Sequence, residues 1–105
     1  MKYLLLLALL LPFSSLAADM EVTLQIKGHL FQPAEITVPA GKKIRLRVEN
    51  QDATPEEFES HALNREKVIA GNSTATIYIG PLQAGSYPFF GEFHADTAQG
   101  VISAK

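Results

Sequence analysis

The decapeptide GEFHADTAQG, residues 91–100, concentrates side chains that could bind a metal ion. His94 has Glu92 two residues before it and Asp96 two residues after it. Imidazole is the commonest side-chain ligand of metals, and nearby carboxylates either join it or orient its ring. We therefore treat His94 as a candidate metal ligand, with Glu92 and Asp96 as further ligands or orienting groups. The alternative is a loop histidine that is only exposed or hydrogen-bonded.

A second acidic segment, Glu57-Phe58-Glu59, offers oxygen ligands. In an extended chain Glu57 and Glu59 point to one face and Phe58 points to the other. Two carboxylates on one face repel each other unless a cation lies between them. His61 follows closely and is an additional candidate because of its position near Glu59. The alternative is a solvated acidic edge with only Phe58 in the core.

Composition excludes several other kinds of chemistry. The chain has no cysteine, so it forms no disulfide and has no thiolate. It has no nucleophile elbow, phosphate-binding glycine loop or HExxH motif, which argues against a hydrolase. Its net charge of −2 argues against a nucleic-acid partner, because such proteins usually carry a basic patch.

The first residues have the pattern of a secretory signal peptide. Lys2 precedes an apolar run, and Ser15-Leu16-Ala17 is a small-x-small cleavage signal. We predict that residues 1–18 are removed by cleavage after Ala17 or Ala18. The apolar run is about half of the ~20 residues that span a bilayer. A single exported, periplasmic domain over residues 19–105 is expected, since this length suits one domain.

The rest of the chain is predicted to be all-β. Apolar residues alternate with polar ones in three segments, which is typical of strands with one buried face. Turn signals separate these short strands, and such spacing indicates an antiparallel sandwich or barrel. The three segments are residues 22–26, 44–48 and 75–79, and weaker strands are expected around Pro33, over 87–93 and over 101–104. The rhythm is absent from residues 50–70, whose second half is expected to form a helical turn or an irregular crossing.

The closing segment GPLQAGSYPFFGEFHADTAQGVI resembles the last hairpin of the cupredoxins. Leu82, Gly85 and Tyr87 match the L-x-x-G-x-Y turn of that family, and His94 falls on its C-terminal histidine ligand. ITVPAGKKIRLRVENQD resembles the strands that precede the ligand loop, and Asn50 and Asp52 open that loop. The resemblance implies an antiparallel Greek-key β-sandwich.

The usual copper ligands of that family are mostly missing. Gly91 stands where the cysteine is expected, and Gln99 stands where some members have an axial methionine. Glu56 and Glu57 lie in the region of the first histidine. Without a thiolate, blue-copper electron transfer is not expected.

A narrower resemblance points to iron uptake. TPEEFESHALNREKVIAGNS and FFGEFHADTAQGVI look like the small cupredoxin-like partners of FTR-type bacterial iron permeases and the N-terminal domain of EfeO-type iron-uptake proteins. Both share a Glu-aromatic-Glu motif, matched here by Glu57, Phe58 and Glu59. The resemblance implies a periplasmic protein that binds copper, iron or both, with an FTR-type permease or an associated membrane protein as partner. Glu57, Glu59 and His94 would be its core ligands.

Several roles stay open at this point. The protein could assist copper-dependent Fe(II) oxidation before transport, or it could be a binding protein alone. It could also be a copper carrier or copper-tolerance protein, with Met20 or His29 as added ligands. A third alternative is a metal-free module that docks through Lys43, Arg45 and Arg47, which are otherwise the solvated side of a strand. A dimer is among the states that the sequence leaves open.

Overall fold

A computed structural model describes residues 20–105, which form two packed β-sheets. The signal peptide predicted over residues 1–18 lies outside this described part. One sheet has the order β2-β1-β4-β7 and the other β3-β9-β8-β5-β6. The strands are β1 (Met20–Lys27), β2 (Leu30–Gln32), β3 (Glu35–Val38), β4 (Ile44–Asn50), β5 (Glu56–Ser60), β6 (Arg65–Ile69), β7 (Ser73–Ile79), β8 (Gly85–Gly91) and β9 (Gln99–Ala104), with one 3-10 turn at Glu92–His94.

The predicted all-β sandwich is confirmed, and the strands with clear alternation are β1, β4 and β7. Their aliphatic residues Leu24, Ile26, Ile44, Leu46, Val48, Ile77 and Ile79 are buried, and the residues between them are partly or fully exposed. The sheets are mixed rather than purely antiparallel, because β1 pairs parallel with β4 and β3 pairs parallel with β9.

The weak strand expected around Pro33 is two strands in different sheets. β2 pairs with β1, whereas β3 pairs with β9. Pro33 lies between them and has no backbone N–H to donate to a ladder. The chain therefore leaves the first sheet at this point and enters the second.

The helical turn or irregular crossing expected after His61 was wrong. Residues 65–69 form β6, which pairs antiparallel with β5. β6 is an edge strand, and only Ile69 of its five residues is buried. A strand that is exposed on both faces carries no period-two pattern of hydrophobicity, so the sequence gives no sign of it.

The core fixes the position of β5, which carries the acidic motif. The Phe58 ring packs against Phe89 at 5.1 Å between centroids, and Phe31 packs edge-on against both. Phe58 is fully buried, so Glu56 and Ser60 share its inward face. Within residues 20–105, no helix has the length and apolar character needed to cross a bilayer.

Candidate functional site

Glu56 and His94 form a buried carboxylate–imidazole pair at one end of the sandwich. The Glu56 side chain is 2% exposed, and its Oε2 lies 2.7 Å from His94 Nδ1. Its Oε1 accepts hydrogen bonds from the backbone N–H of Glu57 at 3.0 Å and of Phe93 at 2.8 Å. An ionised carboxylate can only accept hydrogen bonds, so beside the carboxylate form of Glu56 the proton of this contact lies on Nδ1. The lone pair of His94 is then on Nε2, as in histidines that bind metals.

Gly91 makes room for this carboxylate. A Cβ at residue 91 would lie 2.7 Å from Glu56 Cδ and 2.8 Å from both Glu56 Oε2 and Ala98 Cβ. The register that places Gly91 opposite Phe58 brings the two strands together at this point. The position at which the cupredoxin resemblance expects cysteine is therefore a glycine, and Glu56 occupies the space next to it.

His29 joins His94 from a different turn. The two rings stack with centroids 3.6 Å apart and planes 12° from parallel. Asp52 Oδ1 accepts the Gly28 N–H at 2.8 Å, and its Oδ2 accepts the His29 N–H at 2.9 Å. His29 Nδ1 also lies 3.4 Å from Asp52 Oδ2. The hydroxyl of Thr97, from the His94 loop, donates to the His29 carbonyl at 2.9 Å.

The Asp52 carboxyl is held ionised by these contacts. The His29 N–H lowers its pKa most, the Gly28 N–H adds to that effect, and partial burial opposes it. A carboxyl whose pKa is lower in the folded state stabilises the fold above its unfolded pKa. That contribution disappears as the pH falls below the usual value of 3.8 and through the folded pKa.

Replacing Asp52 by alanine is expected to lower the free energy of unfolding by about 2–3 kcal/mol near pH 7, because two hydrogen bonds to a charged acceptor are lost. Urea unfolding of the wild type and the variant between about pH 2 and pH 7 measures this. The difference should shrink below the usual carboxyl pKa, and Asp96→Ala, at an exposed site, should change little. A difference that stays constant over this range would contradict the assignment.

The other acidic group lies on the outer face of β5 and β6. Carboxylate oxygens of Glu57, Glu59 and Glu66 all lie within 4.8 Å of one another. Partial burial is the largest cause of the raised pKa of Glu57, and the charges of Glu66, Glu59 and Glu92 raise this pKa further. His61 Nδ1 lies 4.0 Å from Glu59 Oε2, although the His61 side chain is 82% exposed.

The structure thus divides the predicted ligands between two faces of β5. Glu57 and Glu59 share one face, as the alternation requires, and they meet Glu66 and His61 there. His94 meets Glu56 and His29 on the other side. The charge of Glu92 raises the pKa of Glu57, and Asp96 is exposed in the loop. Gln99 donates its side-chain amide to the Ala95 carbonyl at 2.9 Å.

The sequence predicts no role for Glu66. It also does not predict that Glu56, Asp52 and His29 lie with His94 in one site, which we call the inner site. Glu56 was identified only as lying near the family's first histidine position, Asp52 only as part of the ligand loop, and His29 only as an added copper ligand. Glu66 comes opposite Glu59 through the β5–β6 register, which the sequence does not reveal. The signal for Glu56 is its place directly after Pro55, one residue before the Glu-aromatic-Glu motif.

Comparison with known proteins shows what this fold is similar to. An uncharacterised protein of Rickettsia prowazekii (strain Madrid E) is 49% identical over 83 residues, which cover 79% of this chain and 66% of that relative. The match therefore spans slightly less than two thirds of that relative's length.

Solved structures share the fold at low identity. A copper binding protein in its apo form superposes with a TM-score of 0.74 at 15% identity, over 88% of this chain and 93% of that one. Auracyanin A, a blue copper protein from Chloroflexus aurantiacus, gives 0.72 at 17% identity, over 84% and 100%. The metal binding domain of the Cu(I)-exporting P-type ATPase CopA of Streptococcus pneumoniae D39 gives 0.71 at 14% identity, over 88% and 91%.

The family assignment rests on the sequence itself. Residues 2–104 match the sequence profile of the Cupredoxin-like domain, which covers nearly the whole chain. The two-sheet topology and the solved structures agree with this match. The chain belongs to the family of proteins with a cupredoxin-like domain.

Proposed function

We propose that this protein binds a copper or iron ion, with Nε2 of His94 as the central ligand. The observation that carries the proposal is the 2.7 Å contact between His94 Nδ1 and the buried carboxylate of Glu56. Histidines that bind metals almost always donate their other ring N–H to a carboxylate, a carbonyl or water, which fixes the ring. A buried carboxylate with three hydrogen bonds is a rigid partner for this purpose.

The residues present do not fit a thiolate copper centre. The chain has no cysteine, and the Glu56 carboxylate lies where a side chain at residue 91 would begin. Nitrogen and oxygen donors suit Cu(II), Zn(II) and iron instead. Copper, when bound, would supply a one-electron acceptor for Fe(II). The chain's own residues hold the imidazole in place and provide carboxylates nearby.

A role in iron uptake is the finer part of this proposal. It is supported by the resemblance of the Glu57-Phe58-Glu59 motif to iron-uptake proteins and by the oxygen cluster that Glu66 completes. Carboxylates are hard ligands that favour Fe(III). We place the protein in the periplasm, where it would hold iron for an FTR-type permease or an associated membrane protein and support Fe(II) oxidation before transport.

A copper carrier without an iron role is the second candidate. It would use the imidazoles of the inner site and leave the outer carboxylates without a metal. The docking-module alternative is less supported, because Arg47 on the basic strand already pairs with Glu49 at 3.0 Å. The hydrogen bond that Glu49 accepts from Arg47 lowers the pKa of Glu49.

Parallel calorimetric titrations with Cu(II), Zn(II) and Fe(III) test the proposal. We expect His94→Ala to lower the affinity for Cu(II) by at least about 100-fold, since loss of an orienting group alone costs about 10–100-fold. The double variant Glu59→Gln/Glu66→Gln should weaken Fe(III) binding while Cu(II) binding survives. Glu21→Gln/Glu35→Gln removes the same two charges at exposed positions on β1 and β3 and is the control for the outer site.

Three outcomes separate the candidates. Weaker Cu(II) binding in His94→Ala, together with weaker Fe(III) binding in Glu59→Gln/Glu66→Gln, supports the iron-uptake role. A Cu(II) response without Fe(III) binding supports the copper carrier. Equal Cu(II) affinity in the wild type and in His94→Ala would contradict the proposed function.

A further inference from the structure

We propose that His29 is a second imidazole ligand in the His94 site, and that Asp52 orients it as Glu56 orients His94. This inference rests on the proposed function, because it adds a ligand to the same site. It makes the inner site a two-histidine, two-carboxylate centre for one borderline divalent cation of the Cu(II) or Zn(II) class.

The backbone at His29 is held in an unfavourable conformation. Gly28 and His29 have φ of 60° and 59°, in the left-handed region. Glycine adopts it freely, whereas this conformation is unfavourable for a residue with a Cβ. Here the two-residue turn of the β1–β2 hairpin requires positive φ at both positions, and Asp52 stabilises the turn by accepting both of its N–H groups.

The surroundings of the two rings match. Each imidazole has its Nδ1 next to one carboxylate, His94 with Glu56 at 2.7 Å and His29 with Asp52 at 3.4 Å. In each ring Nε2 is therefore the atom left to bind a metal ion. The His29 and His94 side chains are 43% and 30% exposed, so solvent reaches the site while both carboxylates lie deeper.

The donor set selects the class of ion. Two imidazole nitrogens favour Cu(II) and Zn(II) over hard ions such as Mg²⁺ and Ca²⁺, which prefer oxygen ligands. The two carboxylates carry two negative charges, which balance one divalent cation. A metal lies in the plane of the imidazole that binds it, so the stacked rings must separate when they share one ion. Binding should therefore abolish the 3.6 Å stack.

Pulsed electron spin resonance of the untagged protein with one equivalent of Cu(II) counts the coordinated imidazoles. The chain has three histidines, so each can be tested. The decisive variant is His29→Asn, because asparagine tolerates the left-handed conformation and removes only the imidazole. His61→Asn, at an exposed histidine on the outer face, is the matched control.

We expect two imidazoles in the wild type and in His61→Asn, and one in His29→Asn with at least about 100-fold weaker Cu(II) binding, since loss of an orienting group alone costs about 10–100-fold. One imidazole in the wild type, lost in His94→Ala and unaffected in His29→Asn, would overturn the inference while the proposed function stands. A second imidazole that disappears in His61→Asn would also overturn it. No coordinated imidazole at all would overturn both.

Discussion

Replacing Glu56 by glutamine is expected to weaken Cu(II) binding by about 10–100-fold and to lower the free energy of unfolding by about 2–4 kcal/mol. Glu56 accepts three hydrogen bonds, from His94 Nδ1 and from the backbone N–H groups of Glu57 and Phe93. The amide nitrogen of glutamine cannot accept, so either His94 Nδ1 faces another donor or the imidazole carries its proton on Nε2, where the proton blocks the metal-binding lone pair.

Urea unfolding and Cu(II) calorimetry on the same samples measure the two effects. Glu35→Gln, an exposed acid on β3 of the same sheet, is the control and should leave both quantities near the wild-type values. If Glu56→Gln lowered stability but left Cu(II) affinity unchanged, Glu56 would be a structural residue only. Two unchanged quantities would contradict the buried pair itself.

Gly91→Ala is expected to lower the free energy of unfolding by about 2–4 kcal/mol. The new Cβ would lie 2.7–2.8 Å from the Glu56 carboxylate and from Ala98 Cβ, closer than such atoms approach. Gly91 has φ of −96° and ψ of 115°, which alanine adopts without strain. The effect is therefore one of space and not of backbone conformation.

A double-mutant cycle with Glu56→Ala identifies the obstacle. Removing the carboxylate should make Gly91→Ala less harmful by about 1–2 kcal/mol, and Ala98 keeps the recovery partial. Gly85→Ala, also on β8, is the control, because its Cβ would meet atoms only at 3.7 Å or beyond. Additive effects of Gly91→Ala and Glu56→Ala would show that the two residues do not compete for this space.

The parts of the fold that the sequence predicts are those with one buried face. β1, β4 and β7 alternate between core and solvent, and hydrophobicity records this directly. β6 is exposed on both faces at the sheet edge. β5 has one large apolar residue, Phe58, among three glutamates and one serine. Their pairing depends on contacts with β8 and on the Phe58–Phe89 stack, which are distant in sequence.

The candidate site shows the same limit. The sequence predicts that Glu57 and Glu59 share a face, and the structure has them so. It does not predict which glutamate contacts His94, because three glutamates lie within four residues. In the structure, strand alternation points Glu56 inward and Glu57 and Glu59 outward. His29 and Asp52 reach the site from separate loops, and only the folded topology brings them to His94.

The most direct test of the central claim is nuclear magnetic resonance of the imidazole nitrogens during titration with Zn(II), in the ¹⁵N-labelled protein. We expect the His94 Nε2 signal to shift as the metal binds while Nδ1 stays protonated toward Glu56. His61, exposed on the outer face, should not follow the same binding curve. His94 nitrogens that do not respond to saturating Zn(II) would contradict the account.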